Sequence, residues 1–313
     1  MNKNLIIHLR LIRYQNLLLL TLMQLALRFG FLKFQNVSLA LNDLQYFILV
    51  FATILLAAAG YVINDIFDQD ADEINKPTQK IIGTHISEKK AYNLYFILNI
   101  SGVIMGFAVA NIVGKPNFAA LFIMIAASLY FYATTLKQTL LLGNVLIAFL
   151  SAFSVLIVSF FDLYPTINEQ NKSIITVFFK IILDYAIFAF LINLIREIVK
   201  DIQDIEGDLS DDMNTLPINI GVFWSKVVVV FLSVITVSML FWYITEYYFT
   251  TKLYFATAFA SIFMVAPLCF FGIKIFSAQH VKDFKSLSLV LKFIIAASII
   301  LIVIVTQNIL YNA

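Results

Sequence analysis

The sequence predicts an all-α polytopic membrane protein, with nine transmembrane helices in one bundle. Three observations carry this. Of the 313 residues 61% are hydrophobic and 13% charged, with a mean hydropathy of +0.92, too apolar for a soluble core wrapped in a polar surface. Apolar stretches of about 20 residues, the length that crosses a bilayer, recur near 15–32, 45–64, 92–113, 118–136, 140–161, 174–196, 226–248, 253–277 and 287–311. No ten-residue alternation of the kind a membrane barrel needs is present, and a lipid-embedded backbone that is not a closed barrel must be helical.

In chain order, Lys3, Arg10 and Arg13 precede the first apolar run, and no small-residue cleavage site follows it. This predicts a retained first helix, not a signal peptide. The stretch from Leu5 to Ile12 mixes apolar and basic residues and is expected to lie along the membrane surface. Most connections are short, as at Gly114-Lys115-Pro116-Asn117, but polar loops at 65–90 and 197–225 follow the second and sixth helices. The chain thus reads as a single transmembrane domain over 1–313. Placing the N-terminus in the cytoplasm leaves Arg28, Lys33, Lys115, Lys172 and Lys252 near the outer side and most other Lys and Arg inside, the bias expected of a cytoplasmic membrane protein. Both long loops then face the cytoplasm, because four helices separate them. The second half reads as a parallel repeat of the first with one extra helix.

The composition excludes several functions. No basic tract of the kind that follows a phosphate backbone is present, so nucleic acid is not a partner. One cysteine, Cys269, excludes an intramolecular disulfide, and His8, His85 and His280 lack metal-ligand spacing.

The chemistry lies in the two long loops. Asp65, Asp68 and Asp72 project within roughly 60° of one another on a helix. The same spacing recurs at Asp201, Asp204 and Asp208, offset by a constant 136 residues. Six such carboxylates repel unless cations sit among them, since unit charges about 4 Å apart cost several kcal/mol at an effective dielectric near 20. Hard oxygen ligands suit Mg²⁺, which typically takes one or two carboxylates plus substrate phosphate oxygens, and Asn64 adds a neutral oxygen. The shared ligand expected between two metal-holding helix ends is a diphosphate. Lys76, Lys80, Lys137, Arg196 and Lys200 are placed to hold its remaining oxygens. A lipophilic tail fits among the helices, where ring faces such as Tyr132 shield and stabilise a carbocation. Lys180 and Asp184, spaced i, i+4, read as a local ion pair, and Lys292 as a snorkelling side chain near a helix end.

At these residues the chain resembles the UbiA superfamily of intramembrane prenyltransferases, in which nine transmembrane helices carry two Asp-rich motifs that bind Mg²⁺ and a prenyl diphosphate. Asn64, Asp65, Asp68 and Asp72 meet the first motif, N-D-x-x-D-x-x-x-D. The second, Arg196 to Asp208 followed by Thr215-Leu216-Pro217, is similar to the branch typified by digeranylgeranylglyceryl phosphate synthase. Tyr132, Leu136-Lys137 and Gly143-Asn144 match further signatures of that branch. Lys76 and Lys80 stand where it has arginines, and Asp212 where it commonly has glycine. The resemblance implies Mg²⁺-dependent transfer of a geranylgeranyl-type group from its diphosphate to a lipophilic acceptor, most simply a prenylglyceryl phosphate, giving an ether lipid. It implies that Asp65, Asp68, Asp201 and Asp204 are catalytic and hold metal with Asn64, Asp72 and Asp208. Tyr132 and Asn144 would line the pocket for the acceptor or cation. It further implies an integral protein of a bacterial or archaeal cytoplasmic membrane with its site facing the cytoplasm. An aromatic prenyltransferase of quinone biosynthesis is the nearest alternative. An ion-coupled transporter is the remote one, because carriers place ionisable groups near the bilayer midplane.

Overall fold

The computed structural model describes residues 3–312, with side chains from residue 5 onward. The Lys3 side chain, counted above among the inner cations, lies outside the described residues. Among those residues nine helical spans are long and apolar enough to cross a membrane: Tyr14–Gln35, Asp43–Phe67, Glu88–Ile112, Pro116–Thr134, Leu142–Thr166, Lys172–Gln203, Leu216–Phe249, Tyr254–Ser277 and Val281–Asn312. They account for every predicted apolar stretch. No strand forms among the described residues, only an isolated bridge between Ile82 and Ile86.

Before the first span lies α1 (Lys3–Leu11), which ends where Arg13 turns left-handed at φ 50° ahead of α2 (Tyr14–Leu25). Leu11 is buried, and Ile7 and Ile12 pack with it against Ile82 and Ile86 of the first long loop. The expected surface helix therefore props that loop from beneath.

The second span, α3 (Asp43–Phe67), starts at a capping box. The Asn42 side chain accepts from the Gln45 N–H at 2.9 Å, and the Gln45 side chain accepts from the Asn42 N–H at 2.9 Å. Each bond satisfies a donor that the first helical turn leaves open. Short α4 (Gln69–Asn75) follows, and α5 (Glu88–Ile112) and α6 (Ala119–Thr134) complete the first half. The second half runs through α7 (Leu142–Val158), α8 (Lys172–Gln203), short α9 (Ile205–Ser210) and α10 (Leu216–Tyr243). A single span then combines α11 (Tyr254–Ala260) and α12 (Ala266–Ser277), and the additional helix is α13 (Val281–Asn312).

Hydropathy alone ends the sixth helix at 196, yet α8 continues to Gln203. Charged side chains end an apolar run but do not end a hydrogen-bonded helix, so Asp201 is helical. The first motif also begins inside its helix, at Asn64 and Asp65 of α3. The two long connections are thus helical for much of their motif residues.

Packing divides the apolar interior of the described residues into three clusters. One draws on α2, α3, α5 to α8 and the middle of α13, the second chiefly on α8 and α10 to α13, and the smallest is the one that holds Leu11, so α8 and α13 belong to both of the larger two. Far from the motifs, Arg28 is buried in an ion pair with Asp162 and donates to the Leu41 carbonyl at 2.5 Å. Closer to mid-bundle, Thr53 donates to the Gln24 side chain at 3.0 Å, and Gln24 donates to the Ser154 carbonyl at 3.0 Å. These bonds tie α2 to α3 and α7 where no water is available to compete.

Candidate active site

Both acidic motifs break their helices at the same place. Asp68 (φ −95°, ψ 10°) separates α3 from α4, and Asp204 (φ −102°, ψ 12°) separates α8 from α9. Each break retains helix-like bonding: the Asp68 and Asp204 N–H groups reach the Asn64 and Lys200 carbonyls at 2.9 and 2.8 Å. The repeat predicted from spacing is therefore a repeat of backbone geometry. The expected single helical face for each triad is modified, since Asp72 and Asp208 lie on separate short helices.

Packing of α4 against α9 brings the two motifs together. Ala71 and Gly207, again 136 residues apart, meet at the crossing, and both are buried. A Cβ on Gly207 would lie 2.7 Å from the Ala71 carbonyl oxygen and 2.2 Å from the Asn75 side-chain nitrogen. Asn75 clamps the junction, donating to the Asp204 carbonyl at 2.8 Å and accepting from the Gly207 N–H at 3.0 Å.

Several basic groups stand among the carboxylates. Lys76 Nζ lies 2.8 Å from Asp204 and 3.6 Å from Asp72, bridging the two motifs. Lys137 pairs with Asp68, whose other oxygen accepts from Asn64. Gly143 permits this placement, because a Cβ there would meet the Leu136 carbonyl oxygen at 2.8 Å and the Lys137 Cα at 2.9 Å. Asn144, one residue on, donates to Asp201 at 2.7 Å. Tyr132 stands within electrostatic reach of Asp68, Asp201 and Glu197.

The other predicted cations pair with carboxylates outside the two triads. Lys80 pairs with the exposed Glu73 at 2.7 Å, away from the junction. Arg196 and Lys200 gather around Glu197, at 3.5 and 2.5 Å. Asp212, the residue in a common glycine position, has φ 52°. A glycine tolerates that left-handed geometry better than most residues, although aspartate is among the more permissive.

Arg13 and Asn75 are site residues that the motif reading missed. Arg13 donates to Asp65 at 2.8 Å, and its guanidinium lies 5.0 Å from the Tyr61 ring centroid. The 136-residue offset gives no signal for Arg13, since it pairs Asn144 with His8; the fold shows that Asn144 near the start of α7 and Arg13 at the start of α2 each bind the first aspartate of a motif.

The electrostatics are those of a site short of positive charge. Burial, then the neighbouring Asp204 and Asp68 carboxylates, push Asp208 up to about 7. Burial also raises Asp72, although Lys76 opposes the shift. Lys76 itself is raised: burial lowers it, but Asp204 and Asp72 outweigh that. Among the described residues, no three His, Cys, Asp or Glu side chains converge to enclose a metal ion. The oxygen-rich donor set still fits Mg²⁺, which typically uses one or two carboxylates and takes its other ligands from water and substrate phosphates.

Residues 34–294 match the model of the UbiA prenyltransferase family. Digeranylgeranylglyceryl phosphate synthase of Methanobrevibacter smithii is 32% identical over 193 residues, covering 62% of this chain and 64% of that one. The protein of that name from Saccharolobus solfataricus is 35% identical over 190 residues, covering 58% and 60%. These alignments span less than two thirds of either relative's length. A UbiA homolog from Archaeoglobus fulgidus, solved with GPP and Mg²⁺, superposes with a TM-score of 0.59 at 16% identity, covering 95% of this chain and 99% of that one. A structure from work on digeranylgeranylglyceryl phosphate synthase in membranes gives 0.61 at 22% identity, covering 96% and 99%. The structural likenesses establish a shared fold.

Proposed function

This chain belongs to the UbiA prenyltransferase family, and on that premise we propose that it transfers a geranylgeranyl-type group from its diphosphate to the hydroxyl of a prenylglyceryl phosphate. The observation that carries the reading is the α4–α9 junction, where Lys76 joins carboxylates of both motifs and Lys137 meets Asp68. The curated relatives named digeranylgeranylglyceryl phosphate synthase favour a glycerophosphate acceptor over an aromatic one. Placement of the motifs at one end of the bundle favours an enzyme over a carrier whose ionisable groups lie at midplane.

Asp68, Asp72, Asp204 and Asp208, with Asn64, Asp65 and Asp201 around them, are the residues that would hold Mg²⁺. When bound, Mg²⁺ would supply positive charge to the diphosphate oxygens as the allylic C–O bond breaks. Lys76 and Lys137 bind the diphosphate beside these carboxylates, and Tyr132 lines the path of the cationic carbon. Asn144 and Arg13 orient Asp201 and Asp65. The positive-inside distribution supports a cytoplasmic site, and the two larger apolar clusters, which share α8 and α13, support one prenyltransferase domain.

Purified protein given geranylgeranyl diphosphate, Mg²⁺, and either prenylglyceryl phosphate or an aromatic acid is expected to release diphosphate and yield the prenylated glycerolipid. Product from the aromatic acid alone would move the protein to quinone synthesis. Diphosphate release with neither acceptor, and no product, would refute both readings.

The carboxylate charges set a further expectation. Asp208 holds its proton up to about pH 7 in the fold, far above its ordinary range. Its raised value therefore favours the protonated fold, and that advantage is lost as pH rises through about 7, where crowded carboxylates repel. A divalent cation answers that repulsion. The rise in Tm produced by Mg²⁺ is expected to be larger at pH 8 than at pH 6, measured by thermal unfolding in detergent. An equal rise at both values would disconnect metal binding from these carboxylates.

A further inference from the structure

Three cations lie outside the α4–α9 junction, with Glu197 between two of them. Arg196 and Lys200 share Glu197, while Lys292 on α13 stands within electrostatic reach of Arg196 and donates to the Gln15 side chain at 3.3 Å. The Arg196 Nε is buried and has no hydrogen-bond partner among the described residues. Arg13 does not supply the missing counter-charge, being itself a cation already paired with Asp65.

Helix geometry sets Arg196 apart from the metal side, with Lys200 at the border between the two. Counted along α8, Arg196 lies about 80° around the helix from Asp204 and about 140° from Asp201, whereas Lys200 lies about 40° from Asp204 and acts electrostatically on Asp201. Arg196 therefore turns away from the acidic residues while Lys200 stands beside them. Carboxylates and cations that served only a single diphosphate would have no need of this division, since Lys76 and Lys137 already stand at the junction.

We propose that Arg196, Lys200 and Lys292, with Gln15, bind the phosphate monoester of the lipid acceptor at a subsite distinct from the diphosphate site. A phosphate monoester carries close to two negative charges near neutrality, and the three cations outnumber the two carboxylates, Glu197 and Asp201, that act on them. The guanidinium of Arg196 offers its unpartnered Nε–H, and the two ammonium groups act as mobile point charges. Access comes from the bilayer side: Gln15 is exposed and Lys292 half-buried where the start of α2 approaches α13. A lipid can hold its tail in the bilayer there while its phosphate reaches the cations. This inference rests on the proposed transfer to a glycerophosphate acceptor and assigns the contact that selects it.

The test compares wild type with Lys292→Gln and Lys292→Arg in the purified full chain. Lys292→Gln is expected to raise KM for prenylglyceryl phosphate about tenfold while KM for geranylgeranyl diphosphate stays within about twofold. Lys292→Arg is expected to recover most of the loss. An equal rise for both substrates, or for neither, would overturn the subsite. A second arm needs no turnover: direct binding of a 1-alkylglycerol phosphate and of the matching neutral 1-alkylglycerol to metal-free protein. Preference for the phosphate form, lost in Lys292→Gln, supports the subsite even if no acceptor is prenylated, so its fate is separable from that of the proposed activity. Equal binding of the two lipids overturns it. Inorganic phosphate that binds as tightly as the alkylglycerol phosphate would also overturn it, because the lipid headgroup would then not be the ligand selected.

Discussion

Replacing Asp68 or Asp204 with alanine is expected to lower turnover by roughly 10²–10³-fold, the loss typical when a charge-stabilising group is removed from an active site. The two occupy equivalent helix breaks, and each couples to a lysine: Asp68 to Lys137 and Asp204 to Lys76. Removing either carboxylate takes a metal-ligand candidate away and frees a lysine that it had oriented. The effect belongs to kcat, because the developing charge on the departing diphosphate is greatest in the transition state. Diphosphate release by purified protein that remains monodisperse in detergent measures it. Near wild-type turnover in either variant would sink the assignment of both motifs.

The second large effect is expected at Gly207, which has no titratable group. A Gly207→Val side chain would begin with a Cβ 2.7 Å from the Ala71 carbonyl oxygen. That oxygen belongs to backbone and cannot swing aside, so α4 and α9 must separate. Overpacking of this kind costs about 1–3 kcal/mol. The functional loss should be greater than that figure suggests, about 100-fold in turnover, because small displacements of positioned groups carry large rate penalties. The stabilisation by Mg²⁺ should fall with it. Gly272→Ala is the matched control: its Cβ meets nothing within 4 Å. Unchanged activity and metal response in Gly207→Val would show that the α4–α9 crossing does not form the site.

Much of this architecture was legible before any coordinate. A run of apolar residues long enough for the bilayer can satisfy its backbone only as helix, so the spans follow from composition. The 136-residue offset likewise identified Asp68 and Asp204 as counterparts, because identical spacing on two helices imposes similar local geometry. Spacing along the chain did not identify Asn75, whose bonds to Asp204 and Gly207 span more than 120 residues. Lys80 and Lys76 are near neighbours with the same charge, yet only Lys76 reaches the second motif.

The sequence by itself determined an all-helical membrane bundle and two repeated acidic helix ends, since hydropathy and helical periodicity are local properties of the chain. Tertiary structure alone decided which cations pair with those ends. Lys137 and Lys76 were brought to the carboxylates by a crossing at Ala71 and Gly207 and by the close approach at Gly143, while Arg196 and Lys200 were drawn to Glu197. Partner choice among like charges depends on packing distance and direction, and neither is encoded in residue type.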